Sequence, residues 1–177
     1  MKKKGFTLVE LLAVIAILAI LVIVAMPNVL GMFSQAKTNT FVTEVQKYMD
    51  TAKTAFVQAA LTKPASDITF TNVTAKKNPS DTTAVAVGDA TLDMDGSKQY
   101  YIIMDRHGNF KRVLVWDVNL CYDKVIASGT LEKKDVTTSD MKNSSDDTSN
   151  PDGITAAWDN TNSKWTITEN GCKGEAL

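Results

Sequence analysis

The sequence predicts an α+β protein in which a long N-terminal helix packs on an antiparallel β-sheet, with its apolar first half protruding. Three observations carry this prediction. Residues 6–26 hold only two polar side chains, and apolar residues further along recur at helical spacing up to about residue 61. Short β-rich runs separated by turn residues then take over. A chain of 177 residues, 44% of them hydrophobic, has room for one globular domain and an appendage.

The first element is a membrane span. A helix over residues 6–26 is about 30 Å long, which matches the hydrocarbon thickness of a bilayer. Three lysines precede the span and none lies within it, which favours a cytoplasmic N-terminus. A secretory signal peptide has an apolar region of about 7 to 15 residues and a small-residue cleavage site. The longer run here, followed by AMPNVLG, predicts an anchor instead.

Three residues in and after this span are unusual for a simple anchor. Glu10 is costly, since a carboxylate at the centre of a bilayer opposes insertion by about 2.5 to 3.5 kcal/mol, and less near the interface. Pro27 has no N–H to bond back toward Ile23, and Gly31 adds a second weak point. The sequence therefore predicts a bend or break of the helix at Pro27 and Gly31.

The second half of the helix is amphipathic and is predicted to end at Lys63, before Pro64. Beyond it, strands are predicted at residues 68–73, 84–87, 100–104 and 110–118, the last two joined by the turn DRHGN. A second hairpin joins residues 154–158 and 165–168 through DNTNSK. The segment 133–153, rich in Ser, Thr, Asp and Asn, is predicted to be a solvated loop.

The stretch KKKGFTLVELLAVIAILAILVIVAMP resembles the leader and N-terminal helix of type IV prepilins and related pseudopilins, and the close match covers residues 2–31. The resemblance implies the type IV pilin fold, cleavage between Gly5 and Phe6 by a prepilin peptidase, and N-methylation of Phe6. The predicted organisation is a leader at 1–5, a transmembrane and assembly helix at 6–27, an amphipathic helix at 28–63 and a globular domain at 64–177.

Cleavage would give Glu10 a partner. The new α-amino group at Phe6 is mostly cationic at neutral pH, and both charges lie in one apolar layer where each is expensive to leave alone. The resemblance implies that Glu10 neutralises the amine of a neighbouring subunit and so selects the axial register of assembly. Pairing of Glu10 with the amine of its own chain stays open.

Cys121 and Cys172 bracket the predicted loop. An even cysteine count on the extracytoplasmic side permits one disulfide, and two buried thiols are the alternative. The resemblance favours the disulfide, because in many type IV pilins such a bond pins the C-terminal region to the sheet.

No catalytic or metal-binding motif is recognisable. His107, the only histidine, lies in the DRHGN turn, and DATLDMDGSK fails as a calcium loop because Thr91 and Ile102 stand where ligands belong. The net charge of −1 gives no basic footprint for nucleic acid. Loss of the three leader lysines leaves 16 basic against 20 acidic side chains, a net charge of −4. We expect no cofactor, no metal and no enzyme activity.

The predicted function is that of a structural subunit, a major pilin of a type IV pilus supporting attachment, motility or biofilm formation. A minor pilin or tip adhesin, and a pseudopilin of a type II secretion or competence system, are the alternatives. Predicted partners are further copies of the chain, a prepilin peptidase, an assembly ATPase and a platform protein. The chain is expected in the cytoplasmic membrane before assembly and on the cell surface afterwards. The sequence does not predict an aromatic or basic binding patch, because the candidate residues are too scattered: Lys133, Lys134, Trp158 and Trp165.

Overall fold

The computed structural model describes residues 6–62, 66–94, 96, 98–145 and 152–177. Within these residues, one α-helix, α1, spans Leu8–Thr62, and nine strands follow it. The chain divides into two compact units, one that ends at Asn39 and one that begins at Thr40. The predicted α+β class is confirmed, with a long N-terminal helix and an antiparallel five-stranded sheet. The predicted helix end at Lys63 and Pro64 lies outside the described residues.

The first unit is the part of α1 that ends at Asn39. Its side chains from Phe6 to Phe33 are exposed, although nearly all of them are apolar. The helix includes Pro27, which is flanked by helical residues on both sides, and it also includes Gly31. The bend predicted from these two residues stays a prediction.

The second unit is built on a sheet of five antiparallel strands, in the order β1 (Ile68–Thr71), β4 (Gln99–Met104), β5 (Phe110–Trp116), β6 (Leu120–Val125) and β7 (Met141–Asn143). Its central hairpin joins β4 and β5 at the predicted DRHGN turn, where Asp105 accepts hydrogen bonds from the backbone N–H groups of His107 and Asn109.

Two small ribbons complete the unit. β2 (Thr74–Ala75) pairs with β3 (Val85–Ala86), and β8 (Gly153–Asp159) pairs with β9 (Lys164–Gly171). The second ribbon confirms the C-terminal hairpin predicted from the sequence.

The sequence does not predict β2, β6 or β7, and the predicted solvated loop is wrong for residues 133–143. Two short 3₁₀ helices, Lys133–Asp135 and Thr138–Asp140, lead there into β7. Val136 and Met141 hold this segment in place, because both are buried in the core despite their polar neighbours. Residues 146–151 of the predicted loop lie outside the described residues.

The sheet is covered on both faces. One face carries Ile102, Val113, Val115 and Tyr122 and packs on the buried side of α1 between Phe41 and Ala52. The other face carries Tyr101, Leu114, Trp116 and Cys121 and packs under the β8–β9 hairpin. Strand β5 is therefore buried on both sides, which accounts for its nearly continuous apolar run VLVW.

Both outer strands of this sheet have backbone neighbours. Beside β1, the N–H of Thr71 donates to the carbonyl oxygen of Ala90. Beside β7, the N–H of Asn143 donates to the carbonyl oxygen of Glu175, and Lys142 bridges to Ala176. The C-terminal tail thus continues the sheet past its last strand.

Candidate functional site at the start of the N-terminal helix

The predicted assembly residue Glu10 caps the start of its own helix. Its carboxylate accepts hydrogen bonds from the backbone N–H of Thr7 at 2.8 Å and from the Thr7 hydroxyl at 2.9 Å. In return, the backbone N–H of Glu10 donates to the Thr7 hydroxyl at 3.3 Å. These reciprocal bonds form a capping box, which satisfies N–H groups that have no partner within the helix.

Thr7 is the functional residue that the sequence analysis missed. Its signal was present, because Thr-x-x-Glu ahead of an apolar run is the pattern of a capping box. In the described chain the carboxylate of Glu10 is therefore held by Thr7.

The processing residues flank this cap. Phe6 is 91% exposed and immediately precedes Thr7, so it is free of packing within the chain. Gly5, on the other side of the predicted cut, lies outside the described residues. Cleavage, methylation and the pairing of Glu10 with an amine stay predictions.

The exposed apolar segment after the cap meets the physical requirement for a membrane span. Within the described residues, α1 is the one helix with a stretch long and apolar enough to cross a bilayer. None of that stretch is buried by the rest of the chain. Exposure of so much apolar surface requires lipid or other protein to cover it.

The second predicted feature, the cysteine pair, is present as a disulfide. Cys121 at the start of β6 is bonded to Cys172, which follows β9, with their Cα atoms 5.6 Å apart. The bond joins the sheet to the C-terminal hairpin. Its place agrees with the role that the resemblance implied.

The same hairpin brings two tryptophans together. Trp158 and Trp165 are directly opposite each other on β8 and β9, with ring centroids 5.1 Å apart in an edge-to-face arrangement. Lys77 places its ammonium 4.1 Å from the centroid of Trp158. Although these tryptophans were considered scattered in the sequence, the hairpin register makes them neighbours.

The two lysines considered with them do not join that cluster. Lys133 forms an ion pair with Asp50 on α1 at 2.5 Å, and Lys134 pairs with Glu132 at 2.7 Å. Both therefore support local structure near α1 and the first 3₁₀ helix. The four residues do not form one basic and aromatic patch.

The turn that contains His107 has a structural role. Burial alone would raise the pKa of the Asp105 carboxyl, but hydrogen bonds from Asn109 and His107 outweigh that effect and hold the pKa below its ordinary value. Asp105 thus acts as an ionised acceptor that closes the turn. Among the described residues, no group of three or more His, Cys, Asp or Glu side chains is placed to hold a metal ion.

A comparison with protein families identifies the N-terminal segment. Residues 1–26 match the family model described as the prokaryotic N-terminal methylation motif, which is the class III signal peptide of type IV pilins. The motif contains Gly5, Phe6, Thr7 and Glu10 and ends at the last residue before Pro27. Searches of curated proteins and of solved structures found no match.

Proposed function

We propose that this chain is the precursor of a structural subunit of a type IV pilus, and that it serves as the major pilin. The single observation that carries the proposal is the methylation motif at residues 1–26 joined to an exposed apolar helix. The antiparallel sheet that follows the helix supports it, because this α+β layout is that of the type IV pilin fold.

The motif and the apolar helix support a pathway in two stages. Before assembly, residues 6–26 anchor the chain in the cytoplasmic membrane with the globular unit outside. A prepilin peptidase then cuts between Gly5 and Phe6, and Phe6 is methylated. In the filament, the apolar surface that lipid covered is covered by the helices of neighbouring copies, with an assembly ATPase and a platform protein driving the transfer.

The decisive experiment is to shear surface filaments from cells and to analyse the dominant protein band by mass spectrometry. We expect an N-terminal peptide that begins with N-methylated Phe6 and lacks residues 1–5. If the filaments contain this chain only in trace amounts, it is a minor pilin or tip subunit. If it stays with the envelope and no filament contains it, the pseudopilin alternative replaces the proposal.

A further inference from the structure

A buried arginine side chain lies where the C-terminal hairpin meets the sheet. Arg112 of β5 is only 7% exposed and projects from the face that the hairpin covers. Its Nε and Nη2 atoms donate to the two carboxylate oxygens of Asp123 on β6, at 2.9 and 2.8 Å. This bidentate pair uses neighbouring strands of one sheet, so it needs no part of the hairpin to form.

The remaining edge of the guanidinium is directed at the hairpin. Its Nη1 atom donates to the carboxylate of Glu169 on β9. Tyr101 lies on the same face of the sheet, and burial together with the nearby negative charge of Glu169 raises the pKa of Tyr101 to about 12. The phenol therefore stays protonated and keeps its hydrogen at neutral pH.

The backbone of the hairpin passes directly over this cluster at Gly171. A Cβ atom there would lie 2.5 Å from Oδ2 of Asp123 and 3.3 Å from Nη2 of Arg112. Gly171 also has a φ of +69°, which side chains with a Cβ rarely adopt. Both constraints indicate that the backbone at Gly171 lies against the ion pair with no room for a side chain.

The cluster also fixes the position of a cysteine. Glu169 is three residues before Cys172, while Asp123 is two residues after Cys121 on the same face of β6. A slip of β9 by one residue would turn Glu169 to the other face of the ribbon and move Cys172 away from Cys121. The contact between Arg112 and Glu169 thus sets the register in which the two sulfurs meet.

We propose that Arg112, held in place by Asp123, is a docking site for Glu169, and that this docking brings Cys172 next to Cys121 so that the two thiols can form a disulfide. Arg112, Asp123 and Glu169 are positioning residues, and the sulfurs carry the chemistry. One cysteine thiolate attacks a small-molecule disulfide and releases one thiol. The second cysteine then displaces the other thiol, so two protein thiols are oxidised while one external disulfide is reduced. This inference does not depend on the filament role.

The test follows oxidation of the reduced full-length chain in detergent micelles. The protein is mixed with oxidised glutathione, quenched with an alkylating agent at increasing times, and analysed by intact mass. Glu169→Gln keeps the side-chain length and an acceptor but removes the charge. We expect closure of the Cys121–Cys172 bond to slow about tenfold, which corresponds to about 1.4 kcal/mol of docking free energy. Mixed disulfide with glutathione should accumulate.

Two further variants make the result specific. Glu175→Gln removes an exposed carboxylate three residues beyond Cys172 and should oxidise at the wild-type rate. Glu169→Asp restores the charge on a shorter side chain and should recover part of the rate. A Glu169→Gln protein that oxidises as fast as wild type overturns the proposal, as does an equal slowing by Glu175→Gln.

A second measurement separates docking from the covalent bond. In a chain carrying Cys121→Ala and Cys172→Ala, the backbone amides of β8 and β9 should stay protected from hydrogen exchange while Glu169 is present. Adding Glu169→Gln should lower that protection about tenfold while β4 and β5 keep theirs. Loss of hairpin protection in the cysteine-free chain with Glu169 intact would contradict the proposal, because docking would then require the disulfide.

Discussion

Glu10 has one observed role, as a helix cap, and one proposed role, in assembly, and both use the same carboxylate. In the described chain it accepts two hydrogen bonds from Thr7 and caps α1. After the proposed cleavage, the α-amino group of Phe6 would appear next to the same cap. A charged acceptor at a helix start also interacts favourably with the helix dipole. The cap therefore holds the carboxylate at the helix start, where the new amine would meet it.

The two roles of Glu10 are separable by one pair of variants. Glutamine is as competent as glutamate at this position of a capping box, but it carries no charge. If charge pairing drives assembly, Glu10→Gln and Glu10→Ala should both reduce sheared filaments at least about tenfold, because an unpaired amine in an apolar layer costs several kcal/mol. Processing should be normal in both, as judged by the N-terminal peptide. Normal filaments from Glu10→Gln would show that capping is the role that matters.

The proposed cleavage of the leader depends on Gly5. We expect Gly5→Leu to leave uncleaved precursor in the membrane fraction, because the resemblance places the cut directly after this residue. The intact mass of the accumulated chain should include residues 1–5 and lack the methyl group on Phe6. Efficient cleavage of the variant would contradict the assigned site.

At the scale of elements, the start of β8 depends on one glycine. Gly153 has a φ of +92°, and a Cβ atom there would lie 2.2 Å from the indole of Trp116. Gly129 is a matched control, since its φ is +90° but a Cβ atom would meet nothing within 4 Å.

Replacing each of these two glycines with alanine should therefore lower the free energy of unfolding by a different amount. Gly129→Ala introduces backbone strain alone and should lower the free energy of unfolding by about 1 kcal/mol. Gly153→Ala adds a clash with a buried ring and should lower it by about 2 to 4 kcal/mol. Urea unfolding of the full-length chain in detergent, followed by tryptophan fluorescence, measures both. Equal losses would mean that Trp116 moves aside without cost.

The elements that the sequence predicted share a local signal. The helix repeats its apolar residues at three- and four-residue steps, and the two predicted hairpins have turn residues between β-rich runs. Strand β6 lacks that signal because Asp123 and Lys124 interrupt it, although Cys121 and Tyr122 are buried. Strand β7 is three residues long and forms because Met141 fills the core. These strands depend on tertiary contacts that no local window contains.

At the scale of the whole molecule, one lysine joins the helix to the sheet. Lys98 pairs with Asp117 at 2.6 Å and with Glu44 of α1 at 2.9 Å, while its ammonium lies 4.9 Å from the ring centroid of Phe41. Burial alone would raise the pKa of Asp117. Hydrogen bonds from Lys98, Leu120 and Asn119 outweigh it and hold that pKa below its ordinary value of 3.8.

This network should make stability sensitive to acid. Because the pKa of Asp117 is lower in the folded chain than in the unfolded chain, its contribution is present above the unfolded pKa and is lost as the pH falls through the folded pKa. Asp117→Asn should lower the free energy of unfolding by about 1 to 3 kcal/mol at neutral pH. The gap from wild type should narrow below about pH 4. Urea titrations at neutral and acidic pH test this, and a gap that is constant with pH would contradict it.

The candidate site was predictable in its chemistry and only partly in its contacts. The motif around Glu10 is contiguous in the sequence, so its residues could be identified without knowledge of the fold. The meeting of Arg112 with Glu169, 57 residues apart, depends on a hairpin folding across the second face of the sheet. The sequence analysis predicted that hairpin but had no basis for placing it there.

The covered edges of the five-stranded sheet affect how copies of the chain can pack side by side. Exposed edge strands are templates on which further chains add by backbone pairing, and this is a common route to aggregation. Here Ala90 lies beside β1 and the C-terminal tail lies beside β7. In a polymer that holds many copies side by side, these neighbours would keep one sheet from extending into the next. The N-terminal helices would then hold the copies together. Their apolar contacts can form and break without any change in the strand pairing of the globular unit.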